Sequence, residues 1–123
     1  MSAIFITFSG NCKEALKFYQ SCFGGKLQFD TFDELEGFSS LPVVSASLVS
    51  ERIVIHGSDL VHNDGRIIGN YLSIFLYCKN KAERRELIEK LSFKEKNFLV
   101  NTHKDQKLIE IIDAFDVRWV LGI

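Results

Sequence analysis

The sequence predicts an α+β fold in which two tandem βαβββ modules form curved mixed sheets around a cleft. Three observations support this prediction. A strand pattern followed by an amphipathic helix recurs in the second half of the chain, three strand patterns follow each helix, and one helix per module can cover only one face of its sheet. The chain is therefore expected to be a single domain with two repeats, at about 1–66 and 67–123.

The first predicted helix lies within the stretch Gly10–Gly25, which has the sequence GNCKEALKFYQSCFGG. Asn11 is a favourable N-cap, and Glu14 follows where its carboxylate can accept a hydrogen bond from a free backbone N–H. Gly24 and Gly25 can adopt the left-handed conformations that end helices. One apolar stripe at helical spacing consists of Ala15, Phe18, Tyr19, Cys22 and Phe23.

Four strand candidates surround this helix in the first module. Ala3–Phe8 precedes it, and the alternating stretch Lys26–Phe32 follows it. Val43–Val49 and Arg52–His56 form a predicted hairpin with Ser50-Glu51 as its turn. The polar stretches 33–41 and 57–69 are predicted to be loops.

The second module repeats the pattern in the same phase. Asn70–Cys78 is predicted to be a strand, and Asn80 with Glu83 begins a second helix, 69 positions after Asn11 and Glu14. The apolar stripe of this helix matches the first stripe at the same offset and consists of Leu87, Ile88 and Leu91. The strand candidates after this helix are Asn97–Thr102, Lys107–Ile112 and Val117–Leu121.

Composition and charge limit the classes of partner that this protein is expected to bind. With 123 residues, 46% hydrophobic residues and eleven Phe, the chain can bury one ordinary core. Fifteen basic and sixteen acidic side chains give a net charge of -1, which offers no basic surface to nucleic acid or to an anionic membrane. The first residues lack the pattern of a signal peptide, and no stretch approaches the roughly 20 apolar residues of a membrane helix. The protein is therefore expected to be cytoplasmic.

The cysteines Cys12, Cys22 and Cys78 are odd in number and form no C-x-x-C motif. They are expected to be reduced, small core residues. A catalytic or redox thiol is the alternative.

Several motifs carry a resemblance to a known family. Thr7–Ala15 (TFSGNCKEA), Phe18-Tyr19 and Phe23-Gly24-Gly25 resemble the F-x-G-N-C-x-E-A-x-x-FY-x-x-x-FGG motif of the PhnB-like branch of the vicinal oxygen chelate superfamily. This superfamily includes glyoxalase I, bleomycin-resistance proteins and extradiol dioxygenases. Asp113–Trp119 (DAFDVRW) resembles the D-x-F-G-V-x-W of the branch, and Ser58-Asp59 resembles its S-D. The resemblance covers nearly the whole chain and implies a glyoxalase/bleomycin-resistance-like fold with a small-molecule ligand in the cleft between the sheets.

The sequence departs from the family pattern at functional positions. Ser45 stands where the branch usually has a histidine in its third strand, and Asp116 replaces a glycine at a left-handed turn, which Asp tolerates at some cost. The superfamily binds a divalent metal through His and Glu, and by strand alignment those places hold Ile4, Val54, Ser73 and Val120. Apolar side chains cannot bind a metal and a lone serine hydroxyl is a poor ligand, so we expect no metal and no cofactor.

The candidate ligand-binding residues are Ser45, His56, Asp59, Ser73, Glu110 and Trp119. His56 shares a predicted strand face with Arg52 and Val54. If that face lines the cleft, His56 is a base or a hydrogen-bond donor to the ligand, and Asp59 orients it. The alternative is a histidine at the end of a strand that hydrogen-bonds the following loop.

Two candidates lie near the end of the sequence. Glu110 shares a strand face with Leu108 and Ile112, and it is either a functional carboxylate on a core face or an edge residue that reaches solvent. Trp119 either stacks on a ligand or packs in the core or in a dimer contact.

The loop histidines offer a further, less specific candidate. His56, Asp59, His62 and Asp64 together supply enough donors for a metal, but their spacing matches no helix-face or hairpin ligand pattern, and Asp-Gly is typical of a turn. His103 lies in a predicted turn and is expected to be solvated.

The favoured hypothesis is a small-molecule-binding protein of this superfamily that lacks its metal site. A metal-dependent lyase or dioxygenase whose ligands have moved to His56, Glu110 and loop carboxylates is the alternative. A third hypothesis is an interaction protein that acts through its dimer surface. The resemblance, together with eleven Phe and Trp119, predicts a homodimer.

Overall fold

A computed structural model describes residues 2–31, 43–59, 67–92 and 107–123. The chain divides into two compact units, Met1–Ile67 and Ile68–Ile123. Both are mixed α+β units, with a small sheet and one helix in the part of each that the structure describes. No helix in the described ranges is long and apolar enough to cross a membrane. The predicted cleft between the sheets and the predicted homodimer stay predictions.

The first unit consists of β1 (Ile4–Thr7), α1 (Cys12–Phe23), β2 (Lys26–Thr31), β3 (Val43–Val49) and β4 (Val54–Ser58). Its four described strands form one sheet in the order β1-β4-β3-β2. β1 runs parallel to β4, whereas β3 is antiparallel to both β2 and β4. The sheet is mixed because α1 provides the crossover between strands.

The helix α1 covers one face of this sheet, against β2, β3 and β4. Leu48 and Ile55 are register neighbours on that face, and both are fully buried. Gly57 lies on the same face, and a Cβ there would be 3.1 Å from the Cys12 sulfur, so the backbone of β4 and the helix approach closely. The buried residues of α1 are Cys12, Ala15, Leu16, Tyr19 and Cys22. The predicted stripe is therefore confirmed at three positions, while Phe18 and Phe23 are only half-buried.

The opposite face of the four-stranded sheet carries no described helix. Alternation along the strands directs Phe5, Val49 and His56 to this side, and all three are exposed. We call this surface the first open face.

The hairpin between β3 and β4 differs from the prediction. Its connection is Ser50–Ile53 rather than two residues, and the Ser50 hydroxyl accepts a hydrogen bond from the Ile53 backbone N–H at 2.9 Å. Arg52 therefore lies in the turn and not on the strand face of His56. β4 continues through Gly57 and Ser58, which were predicted to lie in a loop, because Ser58 is paired with Thr7 of the parallel strand β1.

The second unit consists of β5 (Ile74–Tyr77), α2 (Lys81–Leu91), β6 (Leu108–Ile112) and β7 (Arg118–Gly122). Its described strands have the order β5-β7-β6, with β5 parallel to β7 and β6 antiparallel to it. The predicted strand Asn97–Thr102 lies outside the described residues, so the second complete βαβββ module stays a prediction. The same backbone bond closes the parallel pair in both units, from Phe8 N to the Ser58 oxygen and from Cys78 N to the Gly122 oxygen, each at 2.7 Å.

The core of the second unit lies on one side of its sheet. The register places Ile111 beside Trp119, and Ile109 beside Leu121, and all four side chains are buried. The buried residues of α2 are Arg84, Leu87, Ile88 and Leu91, so its predicted stripe is confirmed. The Arg84 guanidinium donates to the backbone oxygen of Lys107 at 3.2 Å, which joins α2 to the start of β6.

The predicted strand Asn70–Cys78 is too long. β5 begins only at Ile74, because β7 offers backbone partners to Ile74–Tyr77 and to no earlier residue. Tyr71 and Leu72 are 86% and 71% exposed, and Ser73 is also exposed ahead of the strand. The cysteine prediction is confirmed, since all three cysteines are buried and none of them forms a disulfide.

Candidate functional site

The first open face carries a row of four side chains, one from each strand. The register joins Phe5 of β1 to His56 of β4, His56 to Ser47 of β3, and Ser47 to Gln28 of β2. Phe5 is 64% exposed, His56 and Gln28 are exposed, and Ser47 is half-buried. The row therefore places an aromatic ring beside three hydrogen-bonding groups. We call these four residues the central row.

The neighbouring positions of this face differ on the two sides of the central row. On one side, Thr7 and the pair Ser45 and Asp30 supply hydroxyl and carboxylate groups. On the other side, Val54 is paired with Val49, and Val49 with Lys26. The predicted candidate Ser45 is thus exposed beside the central row. The face offers hydrogen-bonding groups at its centre and along one flank.

Asp59 has a position that the sequence prediction missed. Its side chain is buried, and Oδ1 accepts hydrogen bonds from the backbone N–H groups of Gly10 and Cys12, both at 2.9 Å. A carboxylate at the start of a helix satisfies free N–H groups and stabilises the positive end of the helix dipole. Asp59 therefore joins the end of β4 to the start of α1, and this placement favours a structural role over orienting His56.

The predicted cap Asn11 does not make the expected bond. Its side chain forms no capping hydrogen bond, and its Oδ1 is buried without a partner. Asn11 has φ -116° and ψ 22°, outside the extended conformation from which an N-cap side chain reaches the helix N–H groups. Asn11 therefore occupies the predicted N-cap position without the predicted side-chain bond, and Asp59 accepts from the backbone N–H groups on both sides of it. The Ser58-Asp59 motif was the available sequence signal for this contact.

Cys12 is buried next to this carboxylate, and its burial is the main influence on its chemistry. Burial, and secondarily the negative charge of Asp59, raise the pKa of the Cys12 thiol to about 12. Because the thiolate is the reactive form, Cys12 is a poor nucleophile at neutral pH. The geometry therefore favours the packing role over a catalytic or redox thiol.

Glu110 lies on the open face of the second sheet. It shares that face with Leu108 and Ile112, as predicted, but the buried side of β6 carries Ile109 and Ile111, so the prediction that this parity is a core face is wrong. Glu110 forms an ion pair with Arg118 of β7 and is half-exposed. The placement matches the alternative of a residue that reaches solvent.

The D-x-F-D-V-x-W motif forms a turn in which alternate side chains, including those of Asp113 and Trp119, are buried. Asp113 is 1% exposed, and its Oδ1 accepts from the backbone of Phe115 at 2.8 Å and of Val117 at 3.1 Å. Its Oδ2 accepts from the Trp119 indole N–H at 2.8 Å. Asp116 has φ 64°, so the expected left-handed turn residue is confirmed. Because Trp119 is fully buried in this arrangement, its placement favours packing over stacking on a ligand.

The positions where the family resemblance would place metal ligands do not fit a metal. Val54 and Val120 lie on the open faces of their sheets, Ile4 lies on the helix side of β1, and Ser73 precedes β5. None of these side chains except the serine hydroxyl has a donor atom. Within the described part of the chain, no three His, Cys, Asp or Glu side chains are grouped so that they could hold a metal ion. His62, Asp64 and His103 lie outside the described residues.

Comparison with solved structures identifies the fold. Protein PA1353 from Pseudomonas aeruginosa matches with a TM-score of 0.66 and 22% identity, over 99% of this chain and 97% of that chain. The PhnB protein from Bacillus cereus matches with a TM-score of 0.66 and 18% identity, over 98% and 97%. A gene product of Arabidopsis thaliana matches with a TM-score of 0.61 and 16% identity, over 100% and 98%. The chain therefore has the α+β fold of these proteins.

Sequence comparison adds no assignment. No protein-family model matches the chain, and no curated protein matches it.

Proposed function

We propose that this protein binds a small molecule on the first open face, without a metal at that site. The fold that it shares with the PhnB protein, and the motifs that resemble the glyoxalase/bleomycin-resistance superfamily, support a small-molecule-binding protein of that kind. The observation that carries the proposal is the central row, Phe5, His56, Ser47 and Gln28, on the side of the sheet away from α1.

The side chains of this row are suited to ligand binding. An exposed aromatic ring gains free energy when a ligand covers it, because apolar surface leaves water. His56, Ser47 and Gln28 can each donate and accept hydrogen bonds, so they can fix the orientation of a polar group. Sites of this kind combine apolar contact with a few well-placed polar groups.

The proposal of a site without metal follows from the donor set. The aligned ligand positions hold Ile4, Val54, Ser73 and Val120, and His56 is the only histidine among the described residues. A divalent ion bound by protein side chains needs several nitrogen, sulfur or oxygen donors at one point. We therefore assign His56 to hydrogen bonding with a ligand.

Thermal-shift screening of a compound library, with and without Zn²⁺, Ni²⁺, Mn²⁺ and Fe²⁺, tests this proposal. We expect organic compounds to raise the melting temperature without added metal, because a ligand of the native state stabilises it by mass action. Phe5→Ala and His56→Ala should each abolish the shift, and Leu108→Ala on the other sheet is the matched control. A metal-induced shift that His56→Ala removes, or stoichiometric metal in protein purified without chelator, would support the metal-dependent lyase or dioxygenase instead.

A further inference from the structure

We infer that the ligand of the first open face is an aromatic molecule that carries a polar arm. This inference rests on the proposed function and adds the chemical class of the ligand. It is drawn from the order of side chains in the central row and from the contrast with the open face of the other sheet.

The central row has one phenyl ring, that of Phe5, and this ring stands at one end of the row. Phe5 lies on the strand β1 at the edge of the sheet, and the next three strands contribute His56, Ser47 and Gln28 in that order. Aromatic rings prefer offset-stacked or edge-to-face partners, and such pairs add to the free energy of apolar contact. A ligand ring is therefore expected over Phe5, at the β1 end of the row.

The spacing of the strands sets the length of the polar arm. Neighbouring strands lie about 4.8 Å apart, so His56 is about 5 Å and Ser47 about 10 Å from Phe5 across the sheet. If the ring of the ligand lies over Phe5, a substituent two or three bonds long would reach the imidazole of His56. A longer arm would reach the Ser47 hydroxyl. The order of the row selects a molecule that is apolar at one end and hydrogen-bonding at the other.

The open face of the three-stranded sheet differs from the first open face because most of its exposed side chains are aromatic or aliphatic. Phe75, Tyr77 and Leu108 are 55%, 68% and 58% exposed on that face. Its polar pair, Glu110 and Arg118, is already joined in an ion pair. Over its described strands, this face has no row in which a series of hydrogen-bonding side chains follows an aromatic ring, so it provides the control surface for the experiment.

The test uses three simple probes: 3-phenylpropionate, 3-cyclohexylpropionate and butyrate. The first two share the same arm and differ only in the aromaticity of the ring, and butyrate lacks the ring. We would measure affinity for each by NMR titration of the ¹⁵N-labelled full chain. We expect 3-phenylpropionate to bind roughly fivefold more tightly than the cyclohexyl compound, and butyrate to bind most weakly.

Two substitutions assign these preferences to residues. Phe5→Leu keeps an apolar side chain but should reduce the fivefold preference for the phenyl probe to about one. His56→Gln should weaken both ring-bearing probes by a similar factor, because it changes the partner of the shared arm. Phe75→Leu, on the other sheet, should leave every affinity unchanged.

Failure of the inference can be told apart from failure of the proposed function. The phenyl and cyclohexyl probes could bind the first open face with equal affinities, both weakened by His56→Gln. This result would overturn the inference that the ligand is aromatic but would leave the binding site in place. If library compounds bind the chain but perturb no residue of the first open face, the proposed function itself is overturned. Binding of the probes only at Phe75 and Tyr77 would overturn both.

Discussion

The two helices begin with the same N-x-x-E motif but are held at their N-termini by different parts of the chain. In α2, Asn80 is extended and its Oδ1 accepts from the Glu83 N–H at 2.8 Å, while Glu83 accepts from the Lys79 N–H at 2.6 Å. In α1, the distant Asp59 accepts from the backbone beside Asn11 instead. The comparison shows that the same local motif is accompanied by a local side-chain cap in α2 and by a distant carboxylate in α1.

The difference has a physical cause. A carboxylate forms stronger hydrogen bonds to backbone N–H groups than a neutral amide does, and it also interacts favourably with the helix dipole. The Asp59 side chain is largely excluded from water, which strengthens these contacts further. The start of α1 is therefore fixed to the sheet, whereas the start of α2 is stabilised by residues within four positions of one another.

The end of α1 is the place where we expect the largest effect of a substitution on stability. Gly25, just after α1, has φ 98°, and a Cβ there would be 2.3 Å from the Val49 backbone oxygen. Gly25→Ala is expected to lower the free energy of unfolding by about 4 kcal/mol, because backbone strain and a steric clash add together. Chemical denaturation followed by far-UV circular dichroism measures this loss.

Gly24→Ala is the matched control for that substitution. Gly24 has φ 74°, but no atom lies within 4 Å of the position that a Cβ would occupy there, so only the strain of about 2 kcal/mol is expected. Equal losses for the two variants would contradict the close approach of Gly25 to β3.

Removal of the Asp59 carboxylate should give the next largest effect. Asp59→Ala is expected to lower the free energy of unfolding by about 2 kcal/mol, because two backbone N–H groups would lose a charged acceptor. Asp59→Asn keeps an acceptor without the charge and should cost less. Urea denaturation curves of the three proteins measure both steps. If Asp59→Ala were as stable as the wild type, the assignment of the α1 cap would be wrong.

The two asparagines provide a direct comparison of the helix starts. Asn80→Ala should cost about 1 kcal/mol, the usual loss when an N-cap is removed. Asn11→Ala should change stability by less than about 0.5 kcal/mol, because its Oδ1 has no hydrogen bond to lose. The same denaturation measurement on both variants checks the pair, and a larger loss for Asn11→Ala would reverse the comparison.

Cys12 gives the start of α1 a dependence on pH. The folded thiol has its pKa raised to about 12, from an ordinary value of 9.0. Below pH 9.0 the thiol is protonated in both states, so the stability that it contributes is fully present. Between pH 9.0 and about 12 the unfolded thiol ionises first, and that stability is lost.

Cys12→Ala should therefore flatten part of the fall in stability at alkaline pH, relative to the wild type. The free energy of unfolding of the wild type and of Cys12→Ala, measured across this pH range, tests this prediction. Parallel pH profiles for the wild type and Cys12→Ala would contradict the assignment.

Much of the fold could be predicted because it depends on local pattern. The bounds of β3 agree with the prediction, and α1 ends where Gly24 and Gly25 follow it. The errors fall where distant residues decide the outcome. Pairing with β1 extends β4 to Ser58, and the pairing of β5 with β7 begins only at Ile74 and Trp119.

The candidate site was less predictable than the fold, because its residues are brought together by contacts between distant parts of the sequence. Alternation correctly placed His56 on one strand face. Its neighbours Phe5, Ser47 and Gln28 follow from the register between strands, which alternation within a single strand does not reveal. Asp59 resembled a ligand-binding residue because a carboxylate after a strand is compatible with either role. Its contact with Gly10 and Cys12 depends on how β4 meets α1.

The most direct test of the proposed function is chemical-shift mapping with the tightest compound from the thermal-shift screen, on the ¹⁵N-labelled full chain. We expect the largest perturbations at Phe5, Ser47 and His56, across three neighbouring strands of one face. Perturbations confined to α1 and the helix side of the sheet, or to the residues of the second unit, would contradict the proposed function.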